Sequence, residues 1–129
     1  MNIQNVFNIN IDCVGMKDSY NSNPLGLKNL SRVSESEKLY SGIKEIFNNN
    51  NIDFVEDYPT EKAKFAFEQN MGVSDYFSFE ENNYANIHIC QRGVSEFILN
   101  EKDTPELIDY EKIENLADVL SLYIQNVTL

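Results

Sequence analysis

Apolar and polar residues alternate along most of residues 73–100, "VSDYFSFEENNYANIHICQRGVSEFILN", and this pattern constrains the fold more than any other part of the chain. Alternation over short segments is typical of half-buried strands. Turn-forming residues interrupt it at 81–83 and at Arg92-Gly93, where Gly93 can adopt a positive φ. The pattern therefore predicts three consecutive strands, 73–80, 84–91 and 94–100, connected by hairpins.

The preceding segment, "TEKAKFAFEQNMG", allows two interpretations. Ala63, Phe65 and Phe67 alternate as in a strand, whereas Ala63, Ala66, Phe67 and Met71 fit one face of a helix. We predict a strand over 61–69, because it would extend the meander that follows.

Two further strands and one long loop are predicted. "FNINIDC" alternates from Phe7 to Cys13, and "IDFVE" forms a short apolar run over 52–56. Between the first strand and the next helix, residues 15–30 contain two Gly, a Pro and several polar turn formers, so they read as a loop. Loops of this length in compact domains are often functional.

Two amphipathic helices complete the pattern. Ser34 and Glu37 match a capping box at the start of the first helix. Gly42 within it costs about 1 kcal/mol relative to Ala, and close packing against the sheet would explain its presence. Thr104-Pro105 marks a turn or the start of a second helix. The apolar stripe of that closing helix consists of Ile113, Leu116, Leu120, Tyr123, Ile124 and Val127.

The order of elements is thus β-α-β-β-β-β-β-α. It predicts an α+β fold in which an antiparallel meander is packed against both helices. No repeat or linker interrupts residues 1–129, so we expect a single domain.

The net charge of −11 belongs entirely to the C-terminal part of the chain. Residues 1–52 contain five acids and five bases, whereas residues 53–129 contain sixteen acids and five bases. Solubility alone does not require such asymmetry. The charge disfavours direct binding to nucleic acid phosphates or an anionic membrane, and it favours a cationic partner.

No motif for catalysis, a metal or a cofactor is present. His88 is the only histidine, and it shares a strand face with Asn86 and Cys90. Alternate residues of a strand lie about 7 Å apart, too far for a direct His–Cys hydrogen bond, although Cys13 could approach from another strand. We expect a half-exposed structural His88, two buried reduced thiols, no metal site, no cofactor and no enzymatic activity.

Targeting features are also missing. The N-terminus lacks the basic start and apolar centre of a signal peptide, and no apolar run reaches the roughly 18 residues of a membrane span. The sequence therefore predicts a cytoplasmic monomer.

Acidic segments that contain tyrosine form the candidate binding surface. Tyrosine adds apolar area and a hydrogen-bonding group at low entropic cost, which is typical of binding surfaces. Acids near a helix N-terminus also stabilise the helix by about 0.3–1 kcal/mol each, but this does not explain the shortage of bases. The predicted partner-binding residues are Glu80, Glu81, Tyr84, Asp103, Glu106, Asp109, Tyr110 and Glu111.

A small, acidic α+β chain without a catalytic motif resembles the immunity proteins of bacterial toxin delivery systems such as contact-dependent growth inhibition. The resemblance is one of type over the whole chain. It implies a protein that binds one cognate toxin domain, commonly a basic nuclease, and covers its active site. Two other classes remain open: a phage-encoded nucleic-acid mimic or anti-defence protein, and a small acidic secretion chaperone, which would normally be a dimer.

Overall fold

A mixed sheet and two long helices form the framework of residues 6–56, 75–80 and 82–127, which the computed structural model describes. The strands are β1 (Phe7–Asp12), β2 (Leu25–Asn29), β3 (Phe54–Glu56) and β4 (Ala85–Gln91). The helices are α1 (Ser34–Asn49), the short α2 (Phe77–Glu80) and α3 (Tyr110–Asn126). Single 3₁₀ turns occur at Val94–Glu96 and Pro105–Leu107.

The sheet has the order β1-β4-β2-β3. The central strand β4 is parallel to β1 and antiparallel to β2, and β3 is parallel to β2. Ile87 and Ile89 of β4 are fully buried. The two inner strands, β4 and β2, each pair along both of their edges.

Both long helices cover one face of the sheet. The buried residues of this core come from the sheet (Leu27, Ala85, Ile87, Ile89), from α1 (Leu39, Ile43, Phe47) and from α3 (Leu116, Val119, Leu120). Full burial of one such side chain stabilises the fold by roughly 1.5–3 kcal/mol. The predicted α+β fold with two helices packed on a sheet is confirmed.

The opposite face of the sheet is polar. The register places Asn8 beside Asn86 and Asn10 beside His88. Asn8 Nδ2 donates to Asn86 Oδ1 at 2.9 Å, and Asn86 Nδ2 donates to the Tyr76 carbonyl at 2.9 Å. Asn86 is fully buried, and these bonds satisfy its amide.

The described residues do not form the predicted antiparallel meander. Residues 75–80 make a turn followed by α2, and residues 94–100 make a 3₁₀ turn and irregular turns instead of a strand. Gly93 has a positive φ, as predicted, with a value of 75°, but no hairpin follows. Val94 is instead buried with Met16 and Leu107 in a second apolar cluster. The predicted strand at 61–69 lies outside the described residues.

The predicted loop at 15–30 contains a strand. Leu25 and Leu27 are alternate residues of this strand and both face the helices, and Leu27 is fully buried. The sequence does not predict this short strand, because Pro24 and the surrounding Asn, Ser and Gly residues are typical of turns.

The helix ends differ in detail from the predicted ones. The N-cap of α1 is Val33, which makes no side-chain capping bond, so the predicted capping box of Ser34 and Glu37 is wrong. The N-cap of α3 is Asp109, and Pro105 begins a 3₁₀ turn. Ile124, predicted within the apolar stripe, is 46% exposed, while Val119 is buried.

Gly42 packs against α3 rather than against the sheet. A Cβ added there would collide with the phenol ring of Tyr123. Glycine thus lets α1 and α3 approach closely, and any larger side chain at this position would have to displace the Tyr123 ring.

Cys13 and Cys90 are both free thiols, and each is half-buried rather than buried as predicted. No helix of the described residues is long and apolar enough to cross a membrane.

Candidate protein-binding surface

The segment 105–111 is fixed against the loop that follows β1. The Asp109 N–H donates to the Gly15 carbonyl at 2.8 Å, and the Lys17 N–H donates to the Leu107 carbonyl at 2.8 Å. Met16 and Leu107 are buried directly beneath, in the second apolar cluster. These contacts hold both segments at the end of the sheet where β1 and β4 finish.

An open groove lies between these two segments. Tyr110 is 70% exposed beside it. The groove is lined by Lys17, Asp18, Ser19, Pro105, Ile108, Asp109, Tyr110 and Glu111. The loop at 15–30, which the sequence indicates as a candidate functional loop, thus supplies one wall, and the predicted binding residues Asp109, Tyr110 and Glu111 form part of the other.

The charged residues that line this groove are Lys17, Asp18, Asp109 and Glu111, and the segment that contributes one of its walls is rich in acids. Residues 96–111 contain six acids and one lysine, and we call them the acidic end of the molecule. A hydrogen bond from the Thr104 side chain, Glu106's own backbone N–H and the charge of Lys17 lower the pKa of Glu106. Its carboxylate is therefore ionised at neutral pH.

Two carboxylates of the predicted set are used in local structure. Asp109 Oδ1 accepts the Lys112 N–H at 3.2 Å as the N-cap of α3. Asp103 Oδ2 accepts the Leu99 N–H at 3.2 Å. Glu106, Tyr110 and Glu111 are exposed, so their side chains are open to a partner.

One ion pair borders the groove. Lys112 Nζ lies 2.6 Å from Asp18 Oδ1 and also donates to the Met16 carbonyl at 3.1 Å. Lys112 thereby offsets the charge of Asp18 and ties α3 to the loop after β1.

Tyr84 and Glu80, which also belong to the predicted set, lie at the other end of β4. Tyr84 directly precedes this seven-residue strand, which spans about 20 Å. Tyr84 is half-buried, and its ring contacts Phe79 with centroids 6.5 Å apart. Glu80 is the last residue of α2, and Glu81 lies outside the described residues. The predicted set therefore divides into two groups.

A cavity of about 390 Å³ lies on the other side of Asp18 and Lys112. Gln91 in its wall is buried, and its amide is already bonded to the Met16 N–H and the Asn21 carbonyl. Among the described residues, no buried side-chain nitrogen or oxygen lacks a hydrogen-bond partner. The buried polar groups in the cavity wall are thus used internally.

His88 and the Cys13 thiol are poorly suited to nucleophilic chemistry. Burial, and a hydrogen bond from Cys13 Sγ to Asp12, raise the pKa of Cys13 to about 12. His88 is only 5% exposed, which corrects the predicted half-exposed side chain. Within the described ranges, no group of three or more His, Cys, Asp or Glu residues is placed to hold a metal ion.

Comparison with known proteins finds no match to this chain among family models, curated proteins or solved structures.

Proposed function

We propose that this protein is an immunity protein, which binds a cationic toxin domain and covers its active site with the acidic end. The observation that supports this most strongly is Tyr110, 70% exposed beside a groove bordered by Asp109 and Glu111. An exposed aromatic ring among carboxylates can supply both an apolar anchor and charge complementarity.

The two contributions act at different stages of binding. Attraction between unlike charges speeds the encounter, to roughly 10⁸–10⁹ M⁻¹s⁻¹ at low salt, and is screened beyond about 8 Å at physiological ionic strength. Affinity depends on a few desolvated anchors within an interface of roughly 1,600 Å². The acidic end offers exposed carboxylates for the first stage and Tyr110 for the second.

The direct test is coexpression with the protein encoded immediately upstream of this chain's gene. We expect a stoichiometric complex that survives purification and in which the toxic activity of the partner is suppressed. A chain that forms only a homodimer would favour the secretion chaperone. A chain that binds neither its neighbour nor itself, but blocks a nucleic-acid-binding enzyme, would favour the mimic.

Tyr110→Ala locates the interface within that complex. Loss of a hot-spot aromatic typically costs about 2 kcal/mol or more, so we expect Kd to rise roughly thirtyfold or more. Tyr84→Ala is the matched control at the opposite end of β4, where the ring packs on Phe79. It should lower thermal stability and leave Kd unchanged. The reverse result would move the interface to the Tyr84 end.

A further inference from the structure

Leu99 is the most exposed large hydrophobic residue in the described ranges, with 94% of its surface accessible. Its backbone is also left-handed, with φ of 59°. Four described non-glycine residues have positive φ, and two of them are Asn, which tolerates that conformation. At a leucine it lowers the folding equilibrium constant by roughly five- to thirtyfold. Leu99 thus lowers the stability of the fold without burying its side chain.

The loop of residues 97–103, which contains Leu99, holds this unfavourable conformation through several hydrogen bonds. Asp103 Oδ2 accepts the Leu99 N–H at 3.2 Å. Asn100 Oδ1 accepts the Lys102 N–H at 2.8 Å, and Asn100 Nδ2 donates to the Ile98 carbonyl at 3.0 Å. The tip of the loop is therefore defined before any partner arrives.

The base of the loop is attached to the second apolar cluster. Phe97 and Ile98, which directly precede Leu99, pack against the buried residues Met16, Val94 and Leu107. The side chain of Leu99 is presented from a fixed platform, which reduces the entropy lost when it is immobilised in a complex.

The charges around Leu99 indicate the chemistry of its partner. Glu96, Glu101 and Asp103 flank it, against Lys102 alone, and all four residues are exposed. An apolar tip flanked by net negative charge complements an apolar pocket bordered by Lys or Arg side chains.

We propose that Leu99 is a binding anchor that inserts into an apolar pocket beside the basic active site of the toxin domain. This inference rests on the proposed function and adds a specific residue to it. Strained backbone conformations cluster at functional sites, where the strain contributes to pre-organisation.

The experiment measures the binding of the upstream-encoded protein to the wild-type chain, to Leu99→Ala and to Leu99→Gly. Withdrawal of one leucine side chain from an apolar pocket should raise Kd roughly ten- to a hundredfold. The increase should appear in the dissociation rate, while the association rate and its salt dependence stay unchanged. Leu99→Gly should at the same time raise the folding equilibrium constant by roughly two- to fivefold, because glycine accepts positive φ.

Leu122→Ala is the matched control, since Leu122 is 63% exposed on α3. It removes the same apolar group without relieving strain, and Kd should not change. If the wild-type protein forms the complex and the Leu99 variants bind within roughly twofold of it, the anchor is refuted and the immunity function stands. If the wild-type protein forms no complex, both proposals are overturned.

Discussion

His88 is held in its neutral form on the polar face of the sheet. The Asn10 amide nitrogen lies 2.8 Å from His88 Nδ1, so that ring nitrogen accepts a hydrogen bond. The Tyr76 ring covers the imidazole with centroids 4.8 Å apart. Burial and repulsion from Lys28 lower the pKa of His88 from 6.5 to about 4, against an opposing effect of Asp12.

This environment predicts a loss of stability in mild acid. Between pH 6.5 and about 4 the unfolded chain binds a proton at His88 that the folded chain does not. The free energy of unfolding should therefore decrease as the pH falls through this window, and His88 should contribute no further loss below it. Urea denaturation of the wild-type protein and of His88→Gln across the window measures this contribution. Parallel pH dependences in the two proteins would contradict the prediction, since the carboxyl groups are common to both.

At the scale of elements, the contact between α1 and α3 depends on Gly42. Alanine normally stabilises a helix interior by about 1 kcal/mol relative to glycine. At position 42 the methyl group would collide with the Tyr123 ring, so Gly42→Ala should instead lower the free energy of unfolding by about 1–3 kcal/mol. Chemical denaturation monitored by circular dichroism measures the change.

A double-mutant cycle isolates the cause of that loss. In a Tyr123→Leu background the ring is absent, and Gly42→Ala should become neutral or stabilising. Ser41→Ala, at the neighbouring exposed position of α1, controls for helix propensity and should be mildly stabilising. An equal loss from Gly42→Ala in both backgrounds would show that the two helices do not meet at this glycine.

At the scale of the whole molecule, the position of the charge matters more than its total. Glu106→Lys/Glu111→Lys reverses two exposed carboxylates of the acidic end, and Glu45→Lys/Asp118→Lys makes the same change in net charge on exposed positions of α1 and α3. We expect the first variant to associate with the proposed toxin partner roughly tenfold more slowly at low salt, with a flatter salt dependence.

Stopped-flow association at several salt concentrations measures both variants. The reversal at Glu111 also removes a favourable helix-dipole interaction of about 0.3–1 kcal/mol, so folding is checked by circular dichroism. The Glu45/Asp118 variant should associate nearly as fast as the wild-type protein. Equal slowing in both variants would mean that net charge alone, and not the acidic end, guides the encounter.

The sequence by itself determined which segments form the main elements. β1, β4, α1 and α3 each have a local period of two or of about 3.6 residues, and this period is sufficient to predict a strand or a helix. It also predicted that Asn86, His88 and Cys90 share one face of a strand, and that residues 101–111 concentrate acids around a tyrosine.

Only the tertiary structure decided how these elements are paired. Alternation does not encode strand direction, so nothing local distinguishes a parallel β1–β4 pair from an antiparallel one. Val94 does not form the predicted hairpin, because its side chain is buried with Met16 and Leu107. The separation of Tyr84 from Tyr110, and the packing of Phe97 and Ile98 beneath Leu99 on Met16, depend on contacts between residues far apart in the chain. Such contacts form only when the sheet and helices assemble, because the local preferences of a short segment are weaker than the free energy gained by burying its apolar side chains.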